Sequence, residues 1–166
     1  MIKKISTKNK TGFYKDFNSK QTKVFSSRPH SFVDLMEMYE LNYIRLRLFC
    51  GDIRDLPDES ISTVEGSVPI KLTVLERSKH TTLLMLTYLF ESDKRPDLKI
   101  QVYHDSRQAN VLSRSCQIKG REIRLWEKQV DTILLCRWRL NRFLYKWLNY
   151  LDHKGHDFQS ETLDKS

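Results

Sequence analysis

The sequence predicts a single α+β domain, an antiparallel sheet of about four to six strands with one amphipathic helix before it and one after it. Three observations carry that prediction. An apolar stripe at helical spacing runs from Phe32 to Phe49, apolar and alternating segments fill Ile70 to Leu112, and a second helical stripe runs from Cys136 to Leu151. Few residues separate successive strands, which favours an antiparallel meander over parallel crossovers. A chain of 166 residues suits one core rather than two.

Residues 1–30 are rich in Lys, Ser, Thr and Asn, have no sustained apolar period, and read as a basic disordered tail. The domain is expected over 31–156. Ser31 is a good N-cap, and Asp34 three residues on completes a capping box. Phe32, Leu35, Tyr39, Asn42, Leu46 and Phe49 then mark one helix face, broken only by Asn42, and Gly51 stops the helix. The acidic stretch 51–67 reads as a loop with a short strand at Ile61–Val64.

Ile70, Leu72 and Val74 alternate with Lys71 and Thr73 as a half-buried strand, and Arg77–His80 is its turn. Thr81–Phe90 is apolar on both faces and reads as a central strand. After a break at Asp93–Asp97, Leu98, Ile100, Val102 and His104 share one strand face; Asp105–Gln108 turns and Ala109–Ser113 returns. Ile118–Trp126 is ambiguous, with Gly120 as a candidate turn. The last helix is expected from Arg137 to His153, burying Cys136, Leu140, Leu144, Trp147 and Leu151, with Gly155 as its cap and a frayed C-terminus over 157–166.

The net charge of +8 is unevenly spread: +7 over residues 1–30, −2 over 31–115, +5 over 116–150 and −2 over 151–166. Outside the first thirty residues the chain is nearly neutral, so a nucleic-acid reading leans on the tail and the last helix. The longest mostly apolar run, Thr81–Phe90, has half the length a membrane helix needs, about 20 residues. Residues 1–30 lack the apolar core of a secretory signal. Cys50, Cys116 and Cys136 are odd in number and widely spaced, which fits reduced thiols better than a disulfide framework or a zinc site.

No nucleophile elbow or glycine-rich phosphate loop is present, and no catalytic residue, metal or cofactor is implied. The densest polar constellation is Tyr103-His104-Asp105. A His beside a carboxylate can serve as a base or ligand, but neighbouring strand residues point to opposite faces, which favours a structural role. His153 and His156 have ligand-like spacing, with Gly155 between them arguing against ligand geometry. Asn42 and Asn141 on the two helices, with Glu40, and Glu76 on the face of Ile70, Leu72 and Val74, form either a buried polar network or a ligand pocket. Trp138, Arg142 and Tyr145 share a face away from the core stripe. They suit RNA stacking, a protein interface, or a solvated surface.

Four stretches resemble one family: Met38-Tyr39-Glu40-Leu41-Asn42-Tyr43 with Leu46; Leu72-Thr73-Val74-Leu75-Glu76 with Thr81-Thr82-Leu83; Val102-Tyr103-His104-Asp105 with Ala109 and Val111; and Leu140-Asn141-Arg142-Phe143-Leu144 with Trp147-Leu148. The chain resembles the YqiB family of proteobacterial proteins, a domain of unknown function, over about Phe32 to Gly155. The resemblance implies a bacterial cytoplasmic protein and supplies no catalytic residues. Where the family carries a polar run before its last helix, this chain has Leu134-Leu135-Cys136-Arg137-Trp138. The leading expectation is a non-catalytic binding or adaptor module with a protein partner. A nucleic-acid binder comes second, and an enzyme with a His104-centred pocket third.

Overall fold

The computed structural model describes residues 31–90, 97–113, 116 and 126–159, with 126–131 described by backbone alone. The expected tail over 1–30, the break at Asp93–Asp97 except its last residue, and the turn at Gly120 lie outside the described residues. The elements run α1 (Phe32–Cys50), a 3-10 turn (Ile53–Asp55), β1 (Glu59–Ser62), β2 (Ile70–Arg77), β3 (Thr81–Tyr88), β4 (Asp97–Tyr103), β5 (Gln108–Leu112) and α2 (Trp126–His153). Among the described residues five strands form one antiparallel meander in chain order, with β3 central as its double-sided apolarity requires. The α+β class and the two flanking helices are as the patterning predicts.

Helix α1 begins with the expected capping box. Ser31 Oγ accepts from Asp34 N–H at 3.4 Å, and Asp34 Oδ2 accepts from Ser31 N–H at 3.0 Å. It ends at Gly51, whose φ of +72° is one that L side chains rarely adopt. Register places Ser60, Ser62, Ile70, Leu72, Thr82, Leu84, Leu86, Ile100, Val102, Ala109 and Val111 on one buried sheet face. Both helices cover that face, so the core lies between one sheet and a pair of helices. A second apolar cluster lies between the helices themselves: Leu35, Met38, Tyr39 and Leu41 of α1 against Trp138 and Tyr145 of α2.

Five expectations change. The short first strand is Glu59–Ser62 rather than Ile61–Val64, because Gly66 at φ +75° and a Ser67 N–H to Val64 O bond of 3.1 Å draw Val64 into the following turn. Helix α2 starts at Trp126, eleven residues early. It carries two stripes, and Leu134 and Trp138 belong to the one facing α1, so the sheet-facing stripe alone underestimates its length. Glu76 does not share the buried face of Ile70 and Leu72. A β-bulge at Leu75 shifts the register, pairs Glu76 with Leu83 and leaves it exposed.

The cysteines are not all thiols. Cys116 and Cys136 form a disulfide, which the wide sequence spacing concealed, while Cys50 is free and buried. Finally, residues 157–159 are not frayed. Phe158 is 1% exposed and meets the Phe49 ring edge-on at 5.2 Å. Its N–H donates to Phe49 O at 3.2 Å, and Gln159 Nε2 donates to Leu48 O, so the segment satisfies carbonyls left open at the end of α1.

Candidate functional site

Asn42 and Asn141 face each other in the core, both 0% exposed. Asn42 Nδ2 donates to Asn141 O at 3.1 Å and, at a longer 3.4 Å, to Asn141 Oδ1. Asn141 Oδ1 also accepts from Val111 N–H at 2.9 Å, while its Nδ2 donates to Arg137 O at 2.9 Å and Asn110 Oδ1 at 3.2 Å. Among the described residues strand β5 is a sheet edge, and α2 covers it with a side-chain amide that accepts from its Val111 N–H. Of the two sequence readings, this part is the polar network joining helices to sheet.

His104 follows β4 with 8% exposure, and its Nε2 lies 2.8 Å from Thr82 Oγ1. Burial, with a smaller push from Arg54, lowers its pKa below the ordinary histidine value, so the ring is held neutral. Asp105 does not converge on it. Instead Asp105 Oδ2 lies 2.6 Å from His80 Nδ1, linking the two hairpin turns at one end of the sheet in an exposed pair. Tyr103 lies on the opposite sheet face and is 40% exposed. The histidine spacing at 153–156 has a structural outcome. His156 is buried, with Nδ1 at 3.0 Å from Ser62 Oγ and Nε2 at 2.9 Å from Ser67 Oγ.

The aromatic face proposed for α2 is not a surface. Trp138 and Tyr145 are each 1% exposed because they fill the helix–helix cluster, and Arg142 beside them is half-buried. A stripe off the main core pattern was the second core pattern. Arg45 of α1 stacks over the Tyr145 ring at 5.4 Å.

Glu40, the remaining expected site residue, lines an open groove of about 610 Å³. Tyr43, Ile44, Arg47 and Leu48 of α1 form one wall, and Ser106 and Arg107 of the β4–β5 turn form the other. Leu48 is 61% exposed, and Arg107 holds φ +53°. Arg47 pairs with Asp52 at 3.3 Å. The groove therefore gathers Glu40 and the turn containing Asp105, and adds residues that the patterning missed. Their signal was apolar residues off the core stripe of α1. Among the described residues no group of three His, Cys, Asp or Glu could hold a metal ion, and no helix is long and apolar enough to cross a membrane.

Comparison with known proteins fits this layout. Residues 45–157 match the family described as "Protein of unknown function (DUF1249)", a span that takes in the sheet, His104, Asn141 and most of the groove. Proteins from Escherichia coli strains K12 and O157:H7, each called "Uncharacterized protein YqiB", are 29% identical over 127 residues, covering 72% of this chain and 86% of theirs. No solved structure matches the chain. The resemblance carried by the four sequence stretches thus holds, and since the family match spans more than half of its length, this chain belongs to the DUF1249 family of proteins of unknown function.

Proposed function

We propose that this protein is a non-catalytic binding module and that it receives a protein partner in the groove between α1 and the β4–β5 turn. The observation that carries the reading is the groove's composition. Tyr43, Ile44 and the exposed Leu48 form an apolar wall, with Glu40, Arg47 and Arg107 as a charged rim. Protein interfaces combine an apolar centre with a polar rim and are enriched in Tyr and Arg. A side chain at φ +53° is a conformation that turns tolerate at some cost and that binding loops often hold. His104 supports a structural role, since its Nε2 is engaged by Thr82 and its ring is buried.

The test is affinity capture from bacterial lysate, with nuclease, by the wild type and by Leu48→Glu. Leu48 is exposed, so the variant should fold. The expected result is a stoichiometric protein captured by the wild type and lost with the variant. Capture of nucleic acid alone, or of the same protein by both, would overturn the assignment. With Trp138 and Tyr145 inside the fold, the nucleic-acid reading rests on the basic residues 1–30.

A further inference from the structure

A second cleft, about 440 Å³, lies at the β5 edge of the sheet, apart from the groove described above. We propose that it binds a small organic oxyanion, a phosphate monoester carried on an apolar body. Lys99 of β4 and Arg137 of α2 line it, with Asn110, Leu83, Leu112 and Cys116. No Asp or Glu is among its described lining residues. Two other cavities among the described residues contain acidic side chains: Glu40 in the groove, and Asp58, Glu59 and Glu76 in a cleft beside β1 and β2.

The two cations are also set apart by their pairing. Lys71, Arg47 and Arg77 each hold a carboxylate, Glu59, Asp52 and Asp58 respectively, whereas neither Lys99 nor Arg137 forms an ion pair with a described residue. Arg137 lies within interaction range of the buried Tyr39 hydroxyl. Burial raises that phenol's pKa while Arg137 opposes the rise. A guanidinium and an ammonium that line one cleft without a carboxylate among its described residues suit a phosphate, which accepts from both and takes a guanidinium's paired N–H groups.

The cleft is also held in shape before any ligand arrives. Asn141 donates to Asn110 Oδ1 and to the Arg137 backbone carbonyl, holding the Asn110 side chain, and leaves Asn110 Nδ2 as a donor with no described partner. The Cys116–Cys136 disulfide ties the apolar wall to the residue preceding Arg137. Leu83 and Leu112 supply a surface for the body of the ligand, so phosphate alone would use only part of the site.

The experiment is titration of phenyl phosphate, inorganic phosphate and benzyl alcohol into the isotope-labelled full chain, followed by amide NMR. Phenyl phosphate should saturate, with the largest shifts at Asn110, Leu112 and Arg137. Each of the two half-ligands should bind at least about tenfold more weakly. Lys99→Gln should weaken phenyl phosphate about tenfold while Lys71→Gln leaves it unchanged, and both positions are solvent-facing enough that the thermal midpoint can confirm folding. Arg137→Gln is a second variant with the same expectation. Absence of saturation, shifts confined to residues 1–30, or affinity indifferent to Lys99→Gln would overturn the assignment.

Discussion

Replacing Asn141 by Ala is the most informative perturbation of this fold, because its cost can be worked from individual bonds. Asn42 Nδ2 would keep its 3.1 Å bond to the Asn141 carbonyl and lose only the long 3.4 Å contact. Asn110 is half-buried and can turn toward water. Arg137 O remains a helical acceptor. The decisive loss falls on Val111 N–H, a donor on the free edge of β5 covered by α2, whose 2.9 Å partner disappears. An unsatisfied buried donor costs about 1–3 kcal/mol, and the lost contacts add about 1 more, so the expected destabilisation is about 2–4 kcal/mol. For a domain of this size that is a fall of roughly 8–15 °C in the thermal midpoint.

Thermal melts give the total, and hydrogen exchange at the Val111 amide isolates the mechanism. That amide should become the most accelerated of β5 in Asn141→Ala. In a double-mutant cycle with Asn42→Ala the coupling should be about 0.5–1 kcal/mol, since only the longer contact is shared between the two side chains. A loss below about 1 kcal/mol, or an unchanged Val111 exchange rate, would refute the claim that Asn141 closes the sheet edge.

Three further outcomes follow from the core and its titratable groups. Phe158→Ala should lower stability by about 3–4 kcal/mol in denaturant unfolding, since a fully buried ring on Phe49 is removed; a change below about 1 would return residues 157–159 to the surface. Thiol titration should find no reactive cysteine in the native protein, one after unfolding without reductant and all three after reduction, because Cys50 is buried with its pKa pushed up and the other two are bonded. Reduction should also cost about 3 kcal/mol, the scale for a loop spanning 20 residues. Burial holds His104 and His156 below the ordinary value of 6.5, so the unfolded chain takes up protons before the folded one does. The stability they confer is full above about pH 6.5 and drains as pH falls toward the lowered folded values. The urea midpoint should drop between about pH 7.5 and about pH 5.5, and His156→Gln should flatten that drop.

Much of the candidate site could be read from residue types, and its locations could not. Asn42 interrupts an apolar stripe and Asn141 sits beside another, so a buried amide demanding partners was visible in one dimension. That Val111 N–H is the partner depends on α2 crossing the β5 edge. His104 on the apolar face of β4 was legible as buried, whereas its Thr82 contact and the His80–Asp105 pair required the β3–β4 register. The β4–β5 turn faces α1 across a groove only because the whole meander folds under that helix.

By itself, the sequence determined what local chemistry can specify. Side-chain periods of two and 3.6 set the order of strands and helices, the Ser31–Asp34 box and Gly51 set the limits of α1, and short connections set the meander. Tertiary structure alone decided which of two apolar stripes on α2 meets the sheet, and so buried Trp138 and Tyr145 instead of presenting them. It likewise turned Glu76 outward through one bulged residue, joined Cys116 to Cys136, and brought Phe158 back onto Phe49. Each of these depends on pairing between residues distant in the chain, through shared burial for the aromatic contacts, strand register for Glu76 and a covalent bond for the cysteines, and has no signature in either partner's local sequence.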